Sequence, residues 1–222
     1  MKVLVACEES QTVCKAFRER GHEAYSCDII EPSGGHPEWH IHGDALKAID
    51  AQSVKTMDGV THWIGRWDLL IAHPPCTYLS KSGACRLYKK AGVIDDERYR
   101  KGIEAKAFFL SLLAADIPRI AVENPVQLTV FRMPKYTQEI QPYQFGDPYT
   151  KKTRLWLRNL PTLKATDIVT PVAPWLPSCT GRKNREAYGA APRGNARQTK
   201  QQRAKTFPGI ARAMADQWGG LA

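Results

Sequence analysis

Short apolar runs and helically spaced apolar positions take turns along this chain. Residues 2–6 (KVLVA) form the first run, short enough for one buried strand. The polar turn Cys7-Glu8-Glu9-Ser10 ends it. From about Gln11, the positions Val13, Ala16 and Phe17 share a helical face, and Gly21 supplies the stop. Residues 23–28 read as a second strand with Asp28 near its carboxyl end. Strand, polar turn, helix and strand with a terminal acid open a doubly wound nucleotide-binding sheet. Residues 31–42 read as a loop rich in Pro, Gly and His, and Gly43-Asp44-Ala45 leads into a short helix. Leu69 to Ala72 are a continuous apolar run, again a buried strand. Residues 81–101 are polar and read as a mobile basic loop. A helix is predicted over 97–115, with Tyr99, Ile103, Ala107 and Leu110 in one stripe. A strand over 119–122 runs into Glu123-Asn124-Pro125. Residues 139–145 and 154–157 pair around the turn Gly146-Asp147-Pro148. Proline becomes frequent and periodicity fades over 159–197, a small irregular insert. Ile210, Met214 and Trp218 then mark a closing helix over 207–218 that packs on the core.

This pattern predicts an α/β fold: a doubly wound, Rossmann-like sheet, mostly parallel with an antiparallel hairpin at one edge. With 222 residues, 43% hydrophobic and 24% charged, one sizeable core is expected. Three segments are expected: a core over 1–157, a basic insert over 158–205, and a helix over 206–222 returning to the core. The net charge of +10 favours a polyanionic partner, although it is also compatible with none. The six cysteines lack C-x-x-C spacing and read as reduced thiols. The first apolar run is too short for a signal peptide, and no run is long enough to cross a membrane. A cytoplasmic location is therefore expected.

The candidate chemistry gathers at the strand ends. His73-Pro74-Pro75 forces the chain out of the sheet in a stiff extended loop. Cys76 on that loop is a candidate nucleophile, or else a cysteine packed on a Pro-rich turn. Glu123 ends the next strand and would face the same crevice. In the first loop, acids stand where a phosphate cradle would need glycine and free backbone amides. That argues against a dinucleotide and leaves room for a cofactor with a cationic or zwitterionic end. Asp44 would bond a ligand's polar edge or cap the following helix. His36, His40 and His42 lack a completing Cys or acid pattern, so no metal site is expected. Basic residues with interleaved Trp175 and Tyr188 in the insert suit a nucleic-acid face or a plain connector.

In order, Pro75-Cys76, Glu123-Asn124 and Thr150-x-Lys152-x-Arg154 resemble the Pro-Cys, Glu-Asn-Val and Gln-x-Arg-x-Arg motifs of the DNA cytosine-5 methyltransferases. Phe145-Gly146-Asp147-Pro148 is similar to the turn before that family's Arg motif. The resemblance covers residues 1–157 and the closing helix, and its compactness is that of phage or prophage members. It implies methyl transfer from S-adenosylmethionine to C5 of cytosine in DNA. Cys76 would add to the ring, Glu123 in protonated form would neutralise N3, and Arg154 with Lys152 would hold the O2 edge. The resemblance further implies a donor site at Ala6, Cys7, Glu8 and Ser10 for the methionine end. Asp28 and Ile29 would lie at the ribose, Asp44 and Ala45 at the adenine, and His73 and Pro75 beside the methyl group. Ser80, Lys81, Arg86, Lys89, Lys90, Arg182, Lys183 and Arg185 would meet the nucleic acid, with the target base flipped out.

The chain also departs from the family pattern. The usual Phe-x-Gly-x-Gly is replaced by residues 6–10, Lys152 replaces an arginine fork with a point donor, and Pro125 replaces valine. The insert is short for a target-recognition region. Rival readings are an RNA cytosine-5 methyltransferase, an amino-methyltransferase acting on cytosine N4 or adenine N6, use of a modified donor such as carboxy-S-adenosylmethionine, and a catalytically silent DNA-binding relative. In an amino-methyltransferase Glu123 and Arg154 would have no explanation. In a silent binder the whole triple would lack one.

Overall fold

The structure, a computed structural model, describes residues 1–90, 92–174 and 204–221. Its centre is a seven-stranded sheet. Its strands are β1 (Lys2–Ala6), β2 (Glu23–Asp28), β3 (His40–His42), β6 (Leu69–Ala72), β9 (Arg119–Pro125), β10 (Gln138–Ile140) and β12 (Thr153–Arg158). Their order across the sheet is β10-β12-β9-β6-β1-β2-β3. Five strands, from β9 to β3, run parallel. β12 is antiparallel to both β9 and β10. This is the expected Rossmann-like arrangement, mostly parallel with reversed strands at one edge. Order reverses between β1 and β6, so a crevice opens there at the strands' carboxyl ends.

Burial explains why the central strands read as unbroken apolar runs. All four residues of β6 and four of the five in β1 are buried, because helices cover both faces. On one face lie α1 (Thr12–Arg18) and α5 (Pro208–Gly219), packing Phe17, Met214 and Trp218 over Val3, Val5 and Ile71. On the other lie α2 (Ala45–Asp50) and α4 (Asp96–Leu113), packing Ile49, Phe109 and Leu112 over Leu4, Leu70 and Val122. The closing helix returns to the core through Ile210, Met214 and Trp218, as their spacing indicates. Between these elements sit two smaller pairs, β4 (Ser53–Lys55) with β5 (Thr61–Trp63), and β7 (Tyr88–Lys90) with β8 (Val93–Ile94).

Several expectations need correction. Residues 40–42 are not loop: they form the edge strand β3, anchored because both ring nitrogens of buried His40 are engaged, by Ser26 and by the Ile30 carbonyl. The segment 81–101 is folded for most of its length, as a turn, a short helix α3 (Ala84–Leu87), the β7–β8 hairpin and the first turn of α4. Asp95 caps α4 by accepting from Arg98 N–H at 2.8 Å. The buried stripe of α4 runs through Gly102, Phe109 and Leu112, whereas Ile103 and Leu110 are 43% and 38% exposed. The strand pair at the sheet edge is shorter on its first side, since Pro142–Gln144 turns as a 3-10 helix. After the turn a separate short strand, β11 (Tyr149–Thr150), bonds β13 (Ala173–Pro174).

Candidate active site

Two loops leave the carboxyl ends of β6 and β9 and are sewn together. Asn124, fully buried, donates from its side-chain amide to the Pro74 carbonyl at 3.1 Å. Leu128 N–H donates to the Leu79 carbonyl, Lys81 N–H to that of Val126, and Ser80 bridges Gln127. Arg98 of α4 donates to the Thr77 carbonyl at 2.8 Å and lies over the Tyr78 ring. Cys76 is half-buried at the head of a single helical turn, its carbonyl accepting from Ser80 N–H at 2.9 Å. The prolines make this loop stiff, and these bonds fix its height against β9.

Glu123 projects from the end of β9 beside His73, with 3.3 Å between His73 Nδ1 and Glu123 Oε2. Both side chains are largely buried, at 8% and 15% exposure. Burial pushes the Glu123 carboxyl up. The hydrogen bond from His73, with the charges of Lys151 and His73, outweighs it and holds the group below the usual carboxylate range. The raised pKa expected for a protonated Glu123 is thus not what this structure shows.

Arg154 does not meet Glu123. In the β9–β12 register Leu155 faces Glu123 and Arg154 faces Asn124, so the two charged side chains leave opposite faces of the sheet. Arg154 is held by Glu139 at 3.1 Å, by Gln127 at 3.3 Å, and over the Tyr136 ring. Lys152 lies 3.6 Å from the same Glu139 carboxylate. The cation acting on Glu123 is Lys151, a residue whose basic cluster was visible but whose individual role was not. Asn124 was equally unassigned. A buried amide beside an acid at a strand end is the signal that marks it.

Next to Glu123 lies a cleft of about 220 Å³ lined by Ser80, Lys81, Ser82, Pro125, Val126, Thr150, Lys151 and Lys152. Ser80 is buried with its hydroxyl on Ser82 at 2.8 Å, while Lys81, Arg86 and Lys90 are exposed. Lys89 lies in β7. Arg182, Lys183 and Arg185, with Trp175 and Tyr188, lie outside the described residues.

The acids of the expected donor site cluster at the ends of β1, β2 and β3. Glu8 is buried and accepts from Val13 N–H at 2.6 Å and Cys14 N–H at 3.1 Å. Its carboxylate occupies the start of α1, where a phosphate would otherwise sit. Cys7 adopts a left-handed backbone at φ 59°. Burial, then the charges of Asp28 and Asp44, pushes the Cys27 thiol up to about 12 and raises Cys7 as well. Burial chiefly raises Asp28 too, which caps its own turn by accepting from Ile30 N–H. Ile29 is 74% exposed at the same rim. Asp44 accepts from Leu46 N–H at 2.9 Å and so caps α2. Ala6 and Ala45 are buried, Ser10 bonds Thr12, and Pro75 is exposed. Among the described residues, no three His, Cys, Asp or Glu side chains are grouped as a metal site. No described helix is long and apolar enough to cross a membrane.

Four buried side-chain polar atoms lack a hydrogen-bond partner among the described residues. Three of them, Glu9 Oε2, His73 Nε2 and Asn124 Oδ1, follow or end β1, β6 and β9 respectively. Buried polar groups are ordinarily paired, so unpaired ones at the ends of three neighbouring strands suit a binding site there. Acid-lined, with its helix amides already taken, this crevice fits a ligand with a cationic end and not a phosphate.

No protein-family model matches the chain, and no curated protein matches it. Among solved structures, it is similar to an E. coli protein described, provisionally, as a DNA modification methyltransferase encoded within a prophage. The two are 11% identical with a TM-score of 0.41, over 79% of this chain and 53% of the other. This chain spans about half the length of that protein.

Proposed function

We propose that this protein transfers a methyl group from S-adenosylmethionine to C5 of cytosine in DNA through a covalent adduct at Cys76. The observation that carries the reading is the fastening of the Pro-Pro-Cys loop to the Glu-Asn strand end by Asn124 and Pro74. The loop that carries Cys76 is thereby fastened to the strand end that carries Glu123, and a cleft lined by Lys81, Lys151 and Lys152 lies at the same two loops.

S-adenosylmethionine, when bound, supplies an electrophilic methyl group on a sulfonium. The acids Glu8, Glu9 and Asp28 suit its positive groups, and Ile29 offers an apolar surface at the rim. Cytosine C5 is too weak a nucleophile by itself. The Cys76 thiolate adds to C6, and the displaced π electrons make C5 nucleophilic and load negative charge on N3. Glu123 hydrogen-bonds N3 and gives it a proton. Lys81, Lys151 and Lys152 meet phosphates as the base leaves the stack. In this arrangement Arg154 serves Glu123 only through the sheet, by fixing Gln127 and Glu139.

The test uses DNA carrying 5-fluorocytosine in mixed contexts, with S-adenosylmethionine and the purified protein. Mass spectrometry should find an adduct at Cys76 that requires the donor and disappears in Cys76→Ser. Intact donor binding with no adduct on any DNA or RNA tried would sink the reading. An adduct on RNA alone would transfer it to RNA.

A further inference from the structure

The proton that Glu123 must give has no evident origin in the acid itself, which this structure holds as a carboxylate. We propose that His73 is the positioning residue that supplies it: a buried imidazole that passes its proton through Glu123 to the ring and takes it back. This rests on the cytosine reading above and adds a residue to it.

The geometry supports a relay. His73 Nδ1 stands 3.3 Å from Glu123 Oε2, both side chains shielded from solvent. The ring is fixed because His73 N–H donates to the Ala6 carbonyl at 2.9 Å and Pro74 follows it. His73 Nε2 is buried with no partner among the described residues. The ring therefore has one nitrogen on Glu123 and one buried without a partner among the described residues. The charged groups around it come from three directions. Glu8, on the loop after β1, interacts with it electrostatically. Glu123 ends β9. Lys151, just before β12, acts on Glu123. Cys76 follows on the same loop as His73. The hydrogen bond from His73 and the charge of Lys151 favour the ionised form of Glu123.

The balance of the step is simple. The Cys76 thiolate forms the Sγ–C6 bond, and the C5=C6 π pair shifts into C4=C5. The C4=N3 pair moves onto N3, which receives a proton from Glu123. Glu123 is reprotonated by His73 Nδ1–H, leaving a neutral imidazole. C5 then takes the methyl group, leaving S-adenosylhomocysteine; the C5 proton is lost to solvent water, its C–H pair re-forms C5=C6, and the Cys76 thiolate leaves C6, while the N3 proton returns through Glu123 to His73.

The test is His73→Gln, whose amide can still donate to Glu123 but cannot release a proton. The full-length variant should melt close to wild type, and its rate is read at saturating S-adenosylmethionine. Its kcat on cytosine DNA should fall on the order of 100-fold with KM for DNA little altered. Its residual rate should climb as pH is lowered, because Glu123 must then take its proton from solvent. If wild type methylates and His73→Gln matches it in rate and pH profile, the relay is overturned while the cytosine reading stands. If wild type forms no Cys76 adduct, the cytosine reading fails and this role with it. Should His73→Gln not fold, the imidazole itself is read. Wild type should show a slowly exchanging imidazole N–H proton resonance, downfield of the amides, that vanishes in Glu123→Gln. Its absence from wild type would overturn the pair.

Discussion

At the scale of single residues, Glu8 shows how one acid decides what the crevice accepts. Its carboxylate takes the second and third N–H groups of α1, a capping role that serine or aspartate usually fills from the residue just before the helix. Here the cap comes from further back, because Gln11 occupies the preceding position with a left-handed backbone at φ 57° and turns its own amide to Ser26 and the His36 carbonyl. Glu8→Ala should therefore cost about 1–2 kcal/mol of folding free energy in urea melts. Burial raises the Glu8 carboxyl, against the pull of His73 and the two N–H groups. Folded Glu8 thus holds its proton more readily than unfolded Glu8. Its contribution is complete below the ordinary carboxylate range and is lost as pH rises through the folded value. Glu8→Gln keeps an acceptor for Val13 and removes the charge. Its stability should fall less than wild type's between pH 5 and pH 8, and equal slopes would show that Glu8 carries no buried charge. Residues of this kind were only half legible in the sequence. The acids at 8 and 9 signalled a crevice hostile to phosphate, but nothing in their spacing revealed a cap. Asp44, readable either as ligand contact or as cap, caps α2. Asp147 sits in the turn that resembled a family motif, and its carboxylate accepts from Gly209 N–H at the start of α5.

At the scale of elements, that contact explains how the last helix reaches a sheet built much earlier in the chain. Helix α5 begins Phe207-Pro208-Gly209, and any Cβ at Gly209 would overlap the Phe145 carbonyl oxygen. The helix start is thus pressed against the turn carrying Asp147. Gly209→Ala must push α5 away from Phe145 and stretch the Asp147 cap, a clash with backbone that side-chain rearrangement cannot relieve. It should destabilise by about 1–3 kcal/mol or more. Gly220→Ala, with open space where its Cβ would stand, should stay within about 0.5 kcal/mol. Thermal melts of the two variants make the comparison, and similar losses would show that the Gly209 contact is not tight. The apolar spacing of α5 predicted its core face because its buried positions form one broad stripe. The same reasoning misplaced the face of α4, where Gly102 lies against the Phe131 ring and carries no hydrophobic weight in a pattern. The buried side was therefore marked by the residue that contributes least to an apolar count. Strand β3 was missed for a related reason. Three residues, two of them histidine, make no apolar run, and hydrogen bonds from His40 hold the strand in place.

At the scale of the whole molecule, the sheet reverses its order where the charge changes sign. Toward β3 the strand ends carry Glu8, Glu9, Asp28 and Asp44, and toward β12 they carry Lys81, Lys151 and Lys152 around the cleft. The strand ends thus divide into an acidic side and a basic side, and in the proposed reaction the first would take the sulfonium donor and the second a phosphodiester. This division was legible in outline, since composition gave a net charge of +10 and the motifs gave strand ends. What the chain order hid was the parity of β12, which sends Arg154 away from Glu123. If the cleft receives phosphates, its lysines release counterions on binding, and the logarithm of affinity should fall linearly with the logarithm of salt concentration. Lys81 is the lysine to remove, because its side chain is exposed and no ion pair ties it to Glu139 as Lys152 is tied. Lys81→Ala should weaken binding by a similar factor on every sequence tested. It should also flatten the salt slope by about 0.9 on duplex DNA or about 0.7 on a single strand. Fluorescence anisotropy at several salt concentrations on both forms reads this directly. The form whose slope changes by its own increment is the one whose backbone lies in the cleft. An unchanged slope on both would place the backbone elsewhere, and the positive half of the crevice would then be serving the base alone.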